Sequence, residues 1–385
     1  MKKFYMWFFN YVKVGVIWLT DLINKVYDPF ELPPTEWLVA PGEEALFYAD
    51  LQARFMQPSG EFWYEIPRPA DAGDTALFQG LVTGMKILKG VDVTDQLNFI
   101  NTLFINGTLI RGYDINGKPN DTTSNDSATG MLFFFYCALR WGTDDVRTKA
   151  GALLRMWVNS LRAHNWALVD LQGNPTTYGA LEDGIKTDPL RMTLLLGILA
   201  VARAYDQSFG QDYADLYTLY KPILAYPKVK LLWWDTDYDT HRAAIHLHVL
   251  YYMTKDEVYK EGLVRIWRIS EKTQNAWVYT LCASAMDTPD GAFIGRILSS
   301  FSFAKRQLGT VESLNPDVPS VKWGSNIRAK YAIPLSKRGS QEFFWQRCML
   351  SKDEWIAKNW PQPYHSGLDY LICGWLAHRL GLFNG

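Results

Sequence analysis

Helical periodicity constrains this chain more than any other feature. Apolar residues recur at three- and four-residue spacing in about twelve separate blocks. No run alternates apolar and polar residues for long enough to build a central sheet. The spacing predicts helices over 41–56, 74–89, 94–104, 126–140, 144–164, 189–206, 211–223, 240–253, 256–270, 274–287, 290–306 and 366–380. Turn signals stand between them: Gly90, Gly142, "LQGNP" from Leu171, "SFG" from Ser208 and "TPDG" from Thr288. Short extended pieces are expected in "GTLIRGYDING" and "SVKWGSNIRAKYAIPL". These helices pair into about six hairpins. An irregular bundle, a solenoid and a closed ring of inner and outer helices all obey the layer rules. The ring fits this number of hairpins within one chain. The tract at about 307–340 lacks a helical pattern and reads as a loop insertion over one end, where long loops tend to be functional.

The first residues differ from the rest. "FYMWFFNYVKVGVIWLTDLINKV" follows two lysines, but no small-residue cleavage site comes after it, so no removable signal peptide is evident. Asn10, Lys13, Thr20, Asp21 and Asn24 project onto one wedge of about 100° on a helical wheel. The expectation is an amphipathic helix over 4–26, docked on protein, lying on a membrane surface or acting as an anchor. Pro29, Pro33 and Pro34 then make a stiff tether, so 1–35 forms one segment and 36–385 the globular domain. Synthesis in the cytoplasm, with or without association to a membrane or particle, is the expected setting.

Composition excludes some functions. Net charge is −1 and no basic block tracks a phosphate backbone, so nucleic acid is not an expected partner. Cys137, Cys282, Cys348 and Cys373 lie apart in apolar runs, without a CxxC, and are expected to be buried free thiols. No GxSxG, Walker or GxGxxG pattern occurs. No cofactor is implied. The 16 Trp and 21 Tyr suit a core and also a sugar-stacking cleft, since both rings pair an apolar face with a polar tip.

Five blocks carry a resemblance. "GDTALFQGLVTG", "SNDSATGMLFFFYCAL", "DPLRMTLLLGILAVA", "RGSQEFFWQRC" and "YHSGLDYLICGWLAHRLGL" resemble the blocks of (α/α)6-toroid proteins, over most of 40–381. That superfamily includes six-hairpin glycosidases and toroid polysaccharide lyases, and similar blocks occur in bacterial and phage proteins. The resemblance implies an all-α (α/α)6 toroid and a glycan as partner. Unsaturated glucuronyl hydrolases place two Asp at the starts of inner helices, and Asp74 and Asp126 match them by order and spacing.

The residues themselves support several chemistries. Glycoside hydrolysis needs one carboxyl as acid and a second as base or nucleophile, about 6.5–9.5 Å apart in inverting enzymes. Asp74 and Asp126 each precede an apolar helix, and each is equally placed to be an N-cap, as is Asn125. In "LEDGIKTDPLRM", Asp188 before Pro189 is a helix start, while Arg191 is able to hold a substrate carboxylate or pair with Asp188. In "WWDTDYDTHRAAIHLHVLYY", Trp233 and Trp234 form a possible sugar platform beside Asp237, and Tyr238 with His241 is a lyase-type proton-abstracting pair. A plain cap at Asp239 or Thr240 is the alternative. His241 and His248 share a helix face about 10.5 Å apart, too far for one zinc ion, so no metal is expected. Arg338 and Trp345 suit an anionic-sugar subsite or an ion-pair network. Tyr364, His365 and Asp369 gather at a helix start, with His365 the candidate for the cleft. The reading is a glycoside hydrolase, with a polysaccharide lyase or a non-catalytic virion or surface component as alternatives.

Overall fold

In the computed structural model, the residues described are 75–114, 116–181, 188–224, 237–273, 275–287, 289–291, 293–295, 320–321, 352–353 and 368–382. They are mostly helical and the fold is all-α. The expectations for 1–35, Asp74, Trp233, Trp234, Arg338, Trp345 and His365 fall outside the described residues, as does most of the 307–340 tract. The chain divides into two compact units. The first comprises Leu51–Leu224 and Ile245–Tyr259; the second comprises Met1–Asp50, Ala225–Ala244 and Lys260–Gly385.

The first unit holds α1 (Thr75–Lys89), α2 (Thr94–Thr102), α3 (Asn125–Trp141), α4 (Asp144–Ala163), α5 (Pro189–Tyr205) and α6 (Gly210–Leu224). Two kinds of helix alternate. Nearly every residue of α1, of α3 as far as Ala138 and of α5 as far as Ala202 is buried. A helix apolar all round belongs inside. By contrast α4 buries one stripe, Val146, Ala150, Leu153, Leu154, Trp157, Val158 and Leu161, at helical spacing. Burying a large apolar side chain such as Trp157 stabilises by about 1.5–3 kcal/mol. So α1, α3 and α5 form an inner layer, and α2, α4 and α6 return along its outside.

The inner helices run parallel. A Cβ at Gly130 would overlap the Leu77 carbonyl oxygen, and one at Gly84 would sit 2.8 Å from the Phe133 ring. Moving forward along α1 therefore moves forward along α3. Thr129 and Thr193 meet the same imidazole, and Leu132 meets Gly197, which gives α3 and α5 the same sense. The bare glycine backbones at Gly80 and Gly130 are what let α1 and α3 approach this closely.

Helix ends follow sequence signals. Gly90, at φ 85°, closes α1, with its N–H and that of Val91 returning to Lys86 O. Thr143 caps α4, and Asp188 caps α5 with Pro189 in its first turn. One boundary departs from expectation. The helix over 126–140 begins at Asn125, so neither Asn125 nor Asp126 caps it; Ser124 holds that position and its hydroxyl makes no capping bond.

Connections at the two ends of the inner layer differ. Where α1, α3 and α5 finish, the turns are short: 90–93, 142–143 and 206–209. Where they begin, the chain makes the long excursions 103–124 and 164–188. The first holds two small hairpins, β1 (Phe104–Ile105) with β2 (Thr108–Leu109) and β3 (Gly112–Tyr113) with β4 (Pro119–Asn120). The second holds β5 (Ala167–Val169) with β6 (Pro175–Ala180). "LQGNP" is the turn of that hairpin, where the Asp170 carboxylate accepts from the amides of Gln172 and Asn174. These bonds hold the Asp170 carboxyl below its ordinary range. Sequence periodicity missed both strands because β5 is only three residues long and β6, "PTTYGA", has no apolar–polar alternation.

The remaining helices are α7 (Asp237–Thr254), α8 (Glu257–Thr273), α9 (Ala276–Cys282) and α10 (Leu368–Arg379). The division between units falls within α7 and within α8. In the second unit Asn275 caps α9, and Thr280 Oγ1 lies 3.2 Å from Cys373 Sγ. Ser320–Val321 (β7) pairs in parallel with Lys352–Asp353 (β8). Two further limits shift: α9 ends at Cys282 in a 3-10 turn, and α7 starts at Asp237, so Asp239 and Thr240 lie inside it and do not cap it. Asp239 pairs with Arg242 one turn on. Among the described residues no helix is long and apolar enough to cross a membrane.

Candidate functional site

The site builds from the end of the first unit at which the inner helices begin. Ala76 N donates to Arg111 O and Arg111 N to Asn120 O, both at 2.8 Å, so the long excursion lies against the start of α1. Thr176 Oγ1 donates to Thr123 O at 2.8 Å, and Leu171 N lies 3.4 Å from the Asp121 carboxylate. The β5–β6 hairpin thus closes on the segment that leads into α3.

That segment, "TSNDS" from Thr123 to Ser127, holds an uncommon group. Ser127 is 0% exposed, Thr123 1%, Ser124 5% and Asn125 9%. Thr123 Oγ1, Ser124 Oγ, Asn125 Oδ1 and Ser127 Oγ have no hydrogen-bond partner. Their backbone is firmly held all the same. Thr123 O accepts from Thr176, Ser124 O from Ala128 N, and Asn125 O from Thr129 Oγ1. Asp126 stands among them in the first turn of α3, part-exposed.

Directly below lies a paired polar layer. Thr129 Oγ1 is 2.8 Å from His246 Nε2, and Thr193 Oγ1 is 3.3 Å from His246 Nδ1. Both hydroxyls also donate to carbonyls of their own helices, Asn125 O and Leu190 O. A hydroxyl has one proton, so with that proton on the carbonyl it accepts from the ring. Farther along, Tyr136 OH meets His248 Nε2 at 3.1 Å, and burial pushes the Tyr136 phenol well above its ordinary range.

The predicted residues fall into three groups. Asp126 and Arg191 lie in the opening turns of α3 and α5, at the same end of the inner layer. Asp74 directly precedes Thr75, the first described residue of α1. In the second unit, Asp237 and Tyr238 open α7. His241 is 2% exposed and its Nε2 lies 3.0 Å from Asn275 Nδ2. Asn275 Oδ1 accepts from Val278 N, which turns the amide NH2 toward the ring, so Nε2 accepts. Asn275 thus occupies the Nε2 lone pair of the buried His241 ring. The three clustered histidines serve three different partners. Among the described residues no three His, Cys, Asp or Glu side chains gather to hold a metal ion.

Sequence reasoning singled out Asp126 and Asn125 but passed over Thr123, Ser124, Ser127, Thr129 and His246. The signal was present as a polar run entering an apolar helix. What was not visible is that the run is buried. No family model matches the chain, and no curated protein is significantly similar to it.

Proposed function

We propose that the chain is a carbohydrate-active protein, a glycoside hydrolase acting at the end of the first unit where the inner helices begin. The six-hairpin toroid is part of the same proposal. One observation carries it: Asp126 opens a buried inner helix among four buried side-chain oxygens that the protein leaves without partners. Parallel inner helices bring the starts of α1 and α3 to one end, and Asp74 is joined directly to the start of α1. In this reading Asp74 and Asp126 are the two carboxylates that flank one glycosidic bond, one as acid and one as base. Arg191, at the start of α5, suits an acidic sugar.

In the proposed reaction one Asp donates a proton to the leaving oxygen. The other activates a water that attacks the anomeric carbon from the opposite face. The test is a panel of bacterial surface polysaccharides, read by new reducing ends and by ultraviolet absorbance. Asp126→Asn and Asp74→Asn are each expected to lower the rate about 10²–10⁴-fold, with the fold unchanged. New reducing ends accompanied by ultraviolet gain would identify a lyase, which leaves an unsaturated ring, and overturn the hydrolase reading.

A further inference from the structure

We propose that Thr123 Oγ1, Ser124 Oγ, Asn125 Oδ1 and Ser127 Oγ form a subsite that binds adjacent hydroxyl groups of a sugar ring. This rests on the carbohydrate reading and adds the residues that recognise the ring.

The argument begins with cost. A buried polar atom without a partner costs about 1–3 kcal/mol, and native proteins carry few of them. Four within five positions call for a common cause. Poor local order is not that cause, because the carbonyls of Thr123, Ser124 and Asn125 are all bonded. Nor does the helix need these side chains: Ser124 sits at the N-cap and still makes no bond to the first-turn amides. The backbone is fixed while its four buried side-chain oxygens carry no bond within the protein, which is how a preorganised site differs from a loose one.

The atoms then select the ligand. Three are hydroxyls, which donate and accept; Asn125 Oδ1 only accepts. An apolar ligand would satisfy none of them. An inorganic anion brings few or no protons, would leave Asn125 Oδ1 unmet and would face Asp126. A cation is disfavoured by the positive end of the α3 dipole, with a single carboxylate in that turn. A neutral polyol donates and accepts at neighbouring positions, and so matches all four.

The experiment uses full-length Asp126→Asn protein, so that binding is read apart from turnover. Methyl glycosides of glucose, galactose, mannose, N-acetylglucosamine and glucuronic acid are titrated by ligand-observed NMR, with inorganic phosphate and calcium chloride in parallel. At least one glycoside is expected to bind. Adding Ser127→Ala or Ser124→Ala is expected to raise its Kd about tenfold. Without ligand, each alanine variant is expected to melt no lower than its parent, since it deletes an unpartnered hydroxyl. That also separates lost binding from lost folding. Binding unchanged by both alanines overturns the subsite, as does preference for phosphate or calcium. No glycoside bound, while the wild type still cleaves polysaccharide, overturns the subsite and leaves the hydrolase standing. Serine-dependent glycoside binding without any cleavage does the reverse.

Discussion

Helix α3 carries two sorts of buried polar group only a turn apart. In its body, Thr129 meets His246 and Tyr136 meets His248, each bond joining α3 to the part of α7 in the same unit. At its entrance, Thr123 Oγ1, Ser124 Oγ, Asn125 Oδ1 and Ser127 Oγ have no hydrogen-bond partner in the protein. Polarity and burial are similar; satisfaction is not. Paired groups hold helices in register, whereas orphaned ones cost stability with no structural return. The comparison teaches that burial of polar residues does not itself mark a site. What sets the entrance of α3 apart is four buried oxygens without partners on a bonded backbone, and the subsite proposal rests on that.

The first way to break the comparison is to remove its scaffold. A Cβ at Gly130 would overlap the Leu77 carbonyl oxygen, and backbone cannot move aside as a side chain can. Gly130→Ala is expected to destabilise by about 3 kcal/mol, the upper part of the range for overpacking. Urea denaturation reads this, and an unchanged midpoint would mean that α1 and α3 do not cross at Gly130.

A smaller perturbation separates the two polar groups by sign. Thr129→Val keeps shape but removes the oxygen that meets His246 Nε2. The expected loss is about 1–3 kcal/mol, as for a buried group deprived of its partner. Ser127→Ala, two residues earlier, is expected to be neutral or stabilising. If both variants destabilise equally, Ser127 has a structural partner and the contrast fails.

Much of the helical pattern was legible in the sequence. Boundaries at Gly90, Thr143 and Asp188–Pro189 were readable because each is a local event in which one residue satisfies the helix end. The inner and outer layers were readable in part, since α1, α3 and α5 are apolar all round and α4 is striped. The site was legible only as a residue or two. Asp126 stood out as a carboxylate at a helix start, but Ser124 and Ser127 look like ordinary entrance residues until their burial is known. That burial comes from long-range contacts, such as Thr176 on Thr123, which no local pattern encodes. His241 invited a proton-transfer reading for the same reason. Only the separate partners of the three α7 histidines, Thr129, Tyr136 and Asn275, show what each does.

The smallest effect sharpens the paired side of the comparison. Cys137 follows Tyr136 on α3 and is fully buried, and burial pushes its thiol well above the ordinary range. In the unfolded chain a thiol ionises near about pH 8.5. Below that value both states hold the proton, and the thiol adds no pH dependence. Above it the unfolded chain releases the proton while the fold retains it, so stability falls as pH rises. One such thiol contributes a slope of about 1.4 kcal/mol per pH unit. Urea midpoints from neutral pH to about pH 9.5 would show this decline. Cys137→Ala lowers stability at every pH through the cavity it leaves, but it should flatten the alkaline slope by one thiol. A slope that does not change would mean that Cys137 ionises as readily folded as unfolded. The body of α3 would then be wetter than its paired groups require.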